Sequence, residues 1–229
     1  MSELSIGDRV GDVLASLPEG VLLVGAAKMR SPEEARAAIE AGLPAIGHNY
    51  VQQAETMRQS LSEWEARWEN PVRWHLIGHL QRNKVKKAVA LFDMIETMDS
   101  VSLAHTVDRH CADIRKVMSV LIEINSGRES SKTGVAPGET LNLAREISQM
   151  EHLRLQGLMT MGPRFGDPED SRPYFRVTKG LFDSLSSADL GGGEMRYLSM
   201  GMSNSYRIAI EEGANIVRIG TTLFGERRA

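Results

Sequence analysis

Two stretches near the carboxyl end hold most of the information in this chain. They are Tyr197-Leu198-Ser199-Met200-Gly201-Met202-Ser203 and Ala214-Asn215-Ile216-Val217-Arg218-Ile219-Gly220-Thr221. Each reads as an apolar strand that runs into a turn holding glycine and a hydroxyl residue. Backbone N–H groups exposed at such turns, and at helix N-termini, can bind phosphate without a basic side chain. The bland reading is two ordinary turns, with Ser203 capping a helix. The pairing gains weight from its position, because the loops after the seventh and eighth strands of a (β/α)8 barrel are a frequent phosphate site.

Apolar runs predict strands at Val21–Ala26, Ala45–Gly47, Val72–Leu76, Met94–Glu96, Val117–Ile124, Leu153–Leu158, Met195–Leu198 and Asn215–Ile219. Their starts lie roughly 28 residues apart, about one βα unit each. Eight such units predict a single TIM-like α/β barrel over residues 1–229, within the size range of that fold. Ser31-Pro32-Glu33-Glu34 offers an N-cap, a first-position proline and a capping-box glutamate, and Gly42 a helix stop. Val101, Ala104, Val107, Cys111 and Ile114 fall on one helical face, as do Tyr174, Val177, Leu181 and Leu185.

Composition excludes several classes. The chain has 229 residues, 27 basic and 30 acidic, for a net charge of −3; 41% is hydrophobic and 25% charged, so a disordered or fibrous chain is a poor reading. Mild acidity and only 5% aromatic residues argue against a nucleic-acid surface or attraction to anionic membrane. The basic run Arg82, Lys84, Lys86 and Lys87 reads as a solvated helix face. A single cysteine, Cys111, forbids an internal disulfide and fits a reducing cytosol; it reads as a small core residue. Met1–Asp12 shows no leader pattern, and the longest apolar run, Val21–Ala27, is far short of the roughly 20 residues that span a bilayer. A cytoplasmic location follows as an expectation. His48, His75 and His79 come from separate segments with no tight ligand motif, so no metal site is expected.

Lys28 is in phase with Leu22, Val24 and Ala26 on one strand face. In the bland reading the strand ends first and the amine reaches water. In the sharper one the lysine stands at the C-terminal mouth of a barrel, where cofactor residues sit, and its amine can attack an aldehyde. Arg218, between Val217 and Ile219, points inward with Ile216 and needs an acceptor. That acceptor is a structural carboxylate or a ligand ring nitrogen.

Taken in order, six pieces resemble the YggS/PROSC family of pyridoxal phosphate homeostasis proteins. They are Val24-Gly25-Ala26-Ala27-Lys28, Gly47-His48-Asn49-Tyr50-Val51-Gln52, Trp74-His75-Leu76-Ile77-Gly78-His79-Leu80-Gln81 with Asn83-Lys84, Gly157-Leu158-Met159, Leu198 to Ser203, and Val217 to Thr221. The resemblance implies a TIM-like barrel similar to the N-terminal domain of alanine racemase (the type III fold of pyridoxal phosphate proteins). It implies pyridoxal 5′-phosphate (PLP) held as a covalent aldimine on Lys28, with Arg218 facing the pyridine nitrogen. Ser203, Gly220 and Thr221 would hold the phosphate, Asn49 would contact the cofactor, and His75 and Met200 would line the ring pocket. Two positions depart from the pattern: His48 stands where the family has Glu, removing a carboxylate near the pocket mouth, and Ala27 where it has Ser.

An arginine cannot take a proton from the ring, so an Arg218 partner weakens the electron sink that PLP catalysis uses. Racemisation needs an acid/base group on each face of the substrate carbon. In alanine racemases the second is a tyrosine from a C-terminal β-domain, for which the sequence after Thr221 leaves no room. The expectation is therefore a carrier that buffers PLP or delivers it to apo PLP-dependent enzymes, in vitamin B6 and amino-acid homeostasis, and a monomer. The alternatives are a weak amino-acid racemase using Lys28 and a protein whose PLP occupancy regulates a partner.

Overall fold

The computed structural model describes residues 4–127, 133–163, 166–191 and 193–226. The ends of the 1–229 domain reading, and the first residues of the amino-terminal leader reading, lie outside them. The strands are β1 (Leu22–Ala26), β2 (Ala45–His48), β3 (Arg73–Leu76), β4 (Met94–Met98), β5 (Met118–Ile124), β6 (Leu153–Thr160), β7 (Tyr197–Ser199) and β8 (Ile216–Ile219). They pair in parallel in chain order, and β1 pairs with β8 to close the barrel. Helix α1 (Ile6–Ser16) precedes β1. Between strands run α2 (Pro32–Glu40), α3 (Val51–Glu65), α4 (Val85–Leu91), α5 (Val101–Asp113), α6 (Thr140–Ser148), α7 (Arg172–Ser186) and α8 (Tyr206–Glu211). A last turn of helix, α9 (Thr221–Phe224), follows β8.

All eight expected strands form, with shifted ends. β7 starts at Tyr197 rather than Met195, and β6 runs on to Thr160. Hydrogen-bond register sets these limits, and apolar run length does not see it. Alternation along the strands separates two cores. Leu23, Ile46, Trp74, Leu76, Ile95 and Val217 face the helices, while Val24, Ala45, Ile77, Met94, Leu121 and Ile216 fill the barrel.

Helix α2 begins as expected. The Ser31 hydroxyl accepts from Glu34 N–H, the Glu34 carboxylate accepts from Ser31 N–H, and Pro32 occupies the first turn. Gly42 follows its end with φ +98°. Two helical faces are corrected. Ile114 lies past the end of α5 and is exposed, because the helix stops at Asp113. On α7 Leu185 is buried and Leu181 packs on the core as expected, but Phe175 and Thr178 complete the buried stripe and Val177 is exposed. Phe175 takes the inward position, and Tyr174, whose hydroxyl favours a polar setting, is half-buried.

Candidate functional site

A cavity of about 450 Å³ opens at the C-terminal mouth of the barrel. Lys28, Asn49, Glu123, Met202, Gly220 and Thr221 are among its walls. Lys28 follows the last residue of β1 by two positions, in a turn whose next residue, Met29, has φ +58°. Its side chain is half-buried and its Nζ lies 5.6 Å from the Tyr50 ring centroid. No carboxylate comes within ion-pair distance of it among the described residues. Both readings of Lys28 therefore hold in part: the strand ends first, and the amine faces a cavity at the mouth. Asn49 is fixed by close backbone approach, since a Cβ on Gly78 would lie 2.5 Å from the Asn49 carbonyl oxygen.

β8, paired with β1, and β7 beside it bring up the adjoining wall. Gly201, at φ +87°, turns the chain so tightly that a Cβ there would lie 2.6 Å from Ala209 Cβ. Beyond it the Ser203 hydroxyl accepts from the N–H groups of Gly220 (3.2 Å) and Thr222 (3.4 Å). Two backbone donors thus converge on one oxygen, the arrangement a phosphate oxygen requires. Ser203, Gly220 and Thr221 are brought together by this turn.

Below the mouth, a polar chain crosses the barrel. His75 Nδ1 lies 2.7 Å from Glu96 Oε1. Ser199 Oγ donates to Glu96 Oε2 at 2.6 Å and accepts from Arg218 Nη1 at 2.5 Å, while Arg218 Nη2 donates to the Thr160 carbonyl at 2.9 Å. His75, Glu96, Ser199 and Arg218 are all buried. Burial alone would raise the Glu96 carboxyl, but His75, Arg218 and Ser199 together hold it below the usual carboxylate range. Desolvation draws the Arg218 guanidinium down, opposed by Glu96 and Glu123. The structural acceptor expected of Arg218 is Glu96, 3.9 Å away across Ser199.

Two residues expected at the ring pocket are not among the cavity walls. His75 is turned into the barrel against Glu96 and does not line the cavity. Met200 packs with Leu198 in the helix-facing core. Met202 lines the cavity instead, because the left-handed turn at Gly201 resets the strand alternation. Sequence reasoning missed Glu96 and Glu123. Each sits in phase with an inward apolar residue, Met94 or Leu121, which was the signal available. Glu123 lines the cavity, accepts from Thr133 Oγ1 at 2.8 Å through Oε1, and leaves Oε2 buried without a partner. Desolvation pushes its carboxyl up, more than the Thr133 bond lowers it.

The basic run sits outside this site. Lys87 pairs with Glu55 at 2.8 Å, and Arg82 donates to Ser102 Oγ. No group of His, Cys, Asp and Glu suited to a metal ion occurs among the described residues, and no described helix is long and apolar enough to cross a membrane.

Residues 26–228 match the family described as Alanine racemase, N-terminal domain. A pyridoxal phosphate homeostasis protein of Aquifex aeolicus is 40% identical over 206 residues, 90% of this chain and 87% of its own length. The chain belongs to the pyridoxal phosphate homeostasis protein family. A member from Schizosaccharomyces pombe is 35% identical over 90% of this chain and 84% of its own. The solved structure of a further relative, PipY of Synechococcus elongatus with PLP bound, superposes with a TM-score of 0.87 at 28% identity, covering 96% of this chain and all of that one. An alanine racemase of Clostridium difficile shares the fold, with a TM-score of 0.78 at 15% identity. This chain covers 98% of its own length there but only 60% of the racemase. The pyridoxal phosphate homeostasis barrel thus corresponds to the racemase's N-terminal part.

Proposed function

We propose that this chain binds pyridoxal 5′-phosphate at the barrel mouth and serves PLP and amino-acid homeostasis by buffering or delivering it. The observation that carries this reading is one cavity with Lys28 after β1 and, beside it after β8, the converging Gly220 and Thr222 N–H groups. A 450 Å³ cleft is in the range that holds a small cofactor. The family relatives that bear the homeostasis name, and PipY with PLP bound, support the same reading.

In this reading the Lys28 amine adds to the cofactor's aldehyde carbon, a C=N bond forms and one water leaves. Ser203, Gly220 and Thr221 hold the phosphate, Asn49 contacts the cofactor, and Met202 packs at the ring. Arg218 spends only part of its donor set on Ser199 and Thr160, which leaves N–H groups for the pyridine nitrogen. Held cationic against Glu96, it cannot take the ring's proton, so it favours storage over catalysis. Bound here, PLP supplies a reactive aldehyde and an electron-withdrawing ring. One barrel over residues 1–229, acting as a cytoplasmic monomer that hands PLP to apo-enzymes, completes the proposal.

Borohydride reduction of the PLP-loaded protein, followed by peptide mass spectrometry, tests it. The expected product is a single pyridoxyl group on Lys28; modification elsewhere would overturn the assignment, and no uptake would overturn the function. Lys28→Ala should abolish the yellow absorbance and keep weak phosphate-anchored binding. A second reading, a weak racemase, draws support from Glu123, a carboxyl that burial pushes above the usual carboxylate range in the same cavity. Deuterium entering the α-carbon of added amino acids in D2O, and lost in Glu123→Gln, would favour it over the carrier.

A further inference from the structure

Helix α9 is a single turn, and a single turn is not stable by itself. The carbonyls of Gly220 and Thr221 accept from the N–H groups of Phe224 and Gly225, at 2.9 Å each, and so close it. The carbonyls at its C-terminal end have no partner within the turn. Arginines take them instead. Arg9 Nε of α1 donates to the Leu223 carbonyl at 2.8 Å, Arg30 Nη1 to that of Phe224 at 3.1 Å, and Arg30 Nη2 to that of Gly225. Cations at this end also favour the dipole of the turn.

The two arginines come from different places. Arg9 reaches in from α1, outside the barrel. Arg30 belongs to the turn that carries Lys28, closed by the Arg30 N–H donating to the Ala27 carbonyl at 3.2 Å. The Arg30 side chain is 8% exposed and is a wall of the 450 Å³ cavity, as Lys28, Gly220 and Thr221 are. Its guanidinium lies 5.5 Å from the Phe224 ring centroid. Glu34 steadies it: Oε1 accepts from Arg30 Nη1 at 3.2 Å, while Oε2 accepts from Ser31 N–H in the α2 capping box. A rigid planar fork held at three acceptors thus joins the Lys28 turn to the turn after β8.

In the PLP reading, on which this rests, Lys28 takes the aldehyde while Gly220 and Thr221 take the phosphate. A ligand of fixed length meets both only if the two turns keep a fixed spacing. We propose that Arg30 is a positioning residue that sets this spacing, and that through it the site selects a phosphorylated aldehyde over the same aldehyde without its phosphate. Its charge acts in the same direction. Lys28 and Arg30 are the cations among the described walls, and Lys28 is committed to the aldehyde.

The test is a pair of absorbance titrations on the full chain, one with PLP and one with pyridoxal, which lacks only the phosphate. Arg30→Met keeps an apolar stem and removes the fork. It should weaken PLP about tenfold and leave pyridoxal within about twofold, so that the ratio of the two affinities falls. Arg30→Lys keeps the charge without the fork and should recover part of the loss, leaving the ratio about threefold below that of the natural chain. A role in folding alone would weaken both ligands together. That outcome, or PLP affinity unchanged in Arg30→Met, would overturn the proposal. Should Arg30→Met fail to fold, Arg30→Lys carries the test, and an unchanged ratio there overturns it. Failure of the natural chain to take up PLP would overturn the cofactor reading and this proposal with it, whereas uptake indifferent to Arg30 overturns the proposal alone.

Discussion

Glu96 and His48 are both fully buried, and their surroundings drive them to opposite outcomes. Glu96 keeps its charge because His75, Ser199 and Arg218 surround it. Removing it in Glu96→Ala strands the Arg218 cation and should cost about 3–5 kcal/mol in urea unfolding. A loss below about 1 kcal/mol would mean that Arg218 finds another acceptor. The folded Glu96 titrates below the unfolded one, so its stabilisation is present above about pH 4.3 and fades as pH falls through the folded value. His48 has only desolvation acting on it and titrates at about 4 instead of 6.5. On acidification the unfolded chain takes up that proton first, so stability should fall between pH 6.5 and 4, by at most roughly 3 kcal/mol. His48→Phe should flatten this window; an unchanged slope would assign the loss to other groups. The sequence flagged Arg218 as an inward cation in need of an acceptor. Its partner Glu96 lies 122 positions earlier, on a strand whose pairing with the rest no local pattern reveals.

Strand β6 depends on a single glycine. Gly157 has φ +150°, and a Cβ there would sit 1.8 Å from the Tyr197 carbonyl oxygen on β7. Backbone cannot yield to such a contact without breaking the β6–β7 register, which includes Gly157 opposite Tyr197. Gly157→Ala should therefore destabilise by more than about 3 kcal/mol or prevent soluble expression; a loss under about 1 kcal/mol in thermal or urea unfolding would refute the packing argument. At this scale the sequence reads best where the signal is local. The Ser31–Glu34 box and the Gly42 stop of α2 are read correctly, because a cap is a contact between residues three or four apart. The face of α7 is read correctly at Leu181 and Leu185 but not in its first turns, where Phe175 and Thr178 replace Tyr174 and Val177, since the rotation of a helix on a sheet is settled by which side chains fit the groove. Met200 and Met202 show the same limit: a glycine turn redirected the chain after the strand ended.

The whole barrel closes through β1 and β8, and that closure places Lys28 beside Gly220 and Thr221. Further ties cross the same seam: Arg9 Nε of α1 donates to the Leu223 carbonyl at 2.8 Å, and Arg30 to those of Phe224 and Gly225. Cys111 reports on the integrity of this shell. Desolvation pushes its thiol up to about 11, and it is 0% exposed within the helix-facing core. The thiolate is the reacting form, so labelling by a disulfide reagent at pH 8 should be slow and should accelerate with urea in parallel with loss of circular dichroism. Fast labelling in native buffer would show α5 opening by itself. By itself the sequence determined the eight-unit barrel, the lysine after the first strand, the glycine-hydroxyl turns after the last two, and the family. Those features are written in local periodicity and in short contiguous motifs. Only the tertiary structure decided that Arg218 is held by Glu96, that Met202 rather than Met200 meets the cavity, and that Arg30 reaches from the Lys28 turn to the carbonyls of Phe224 and Gly225. Each is a contact between segments far apart in the chain, fixed by barrel closure and by the face to which a strand end turns each successive side chain.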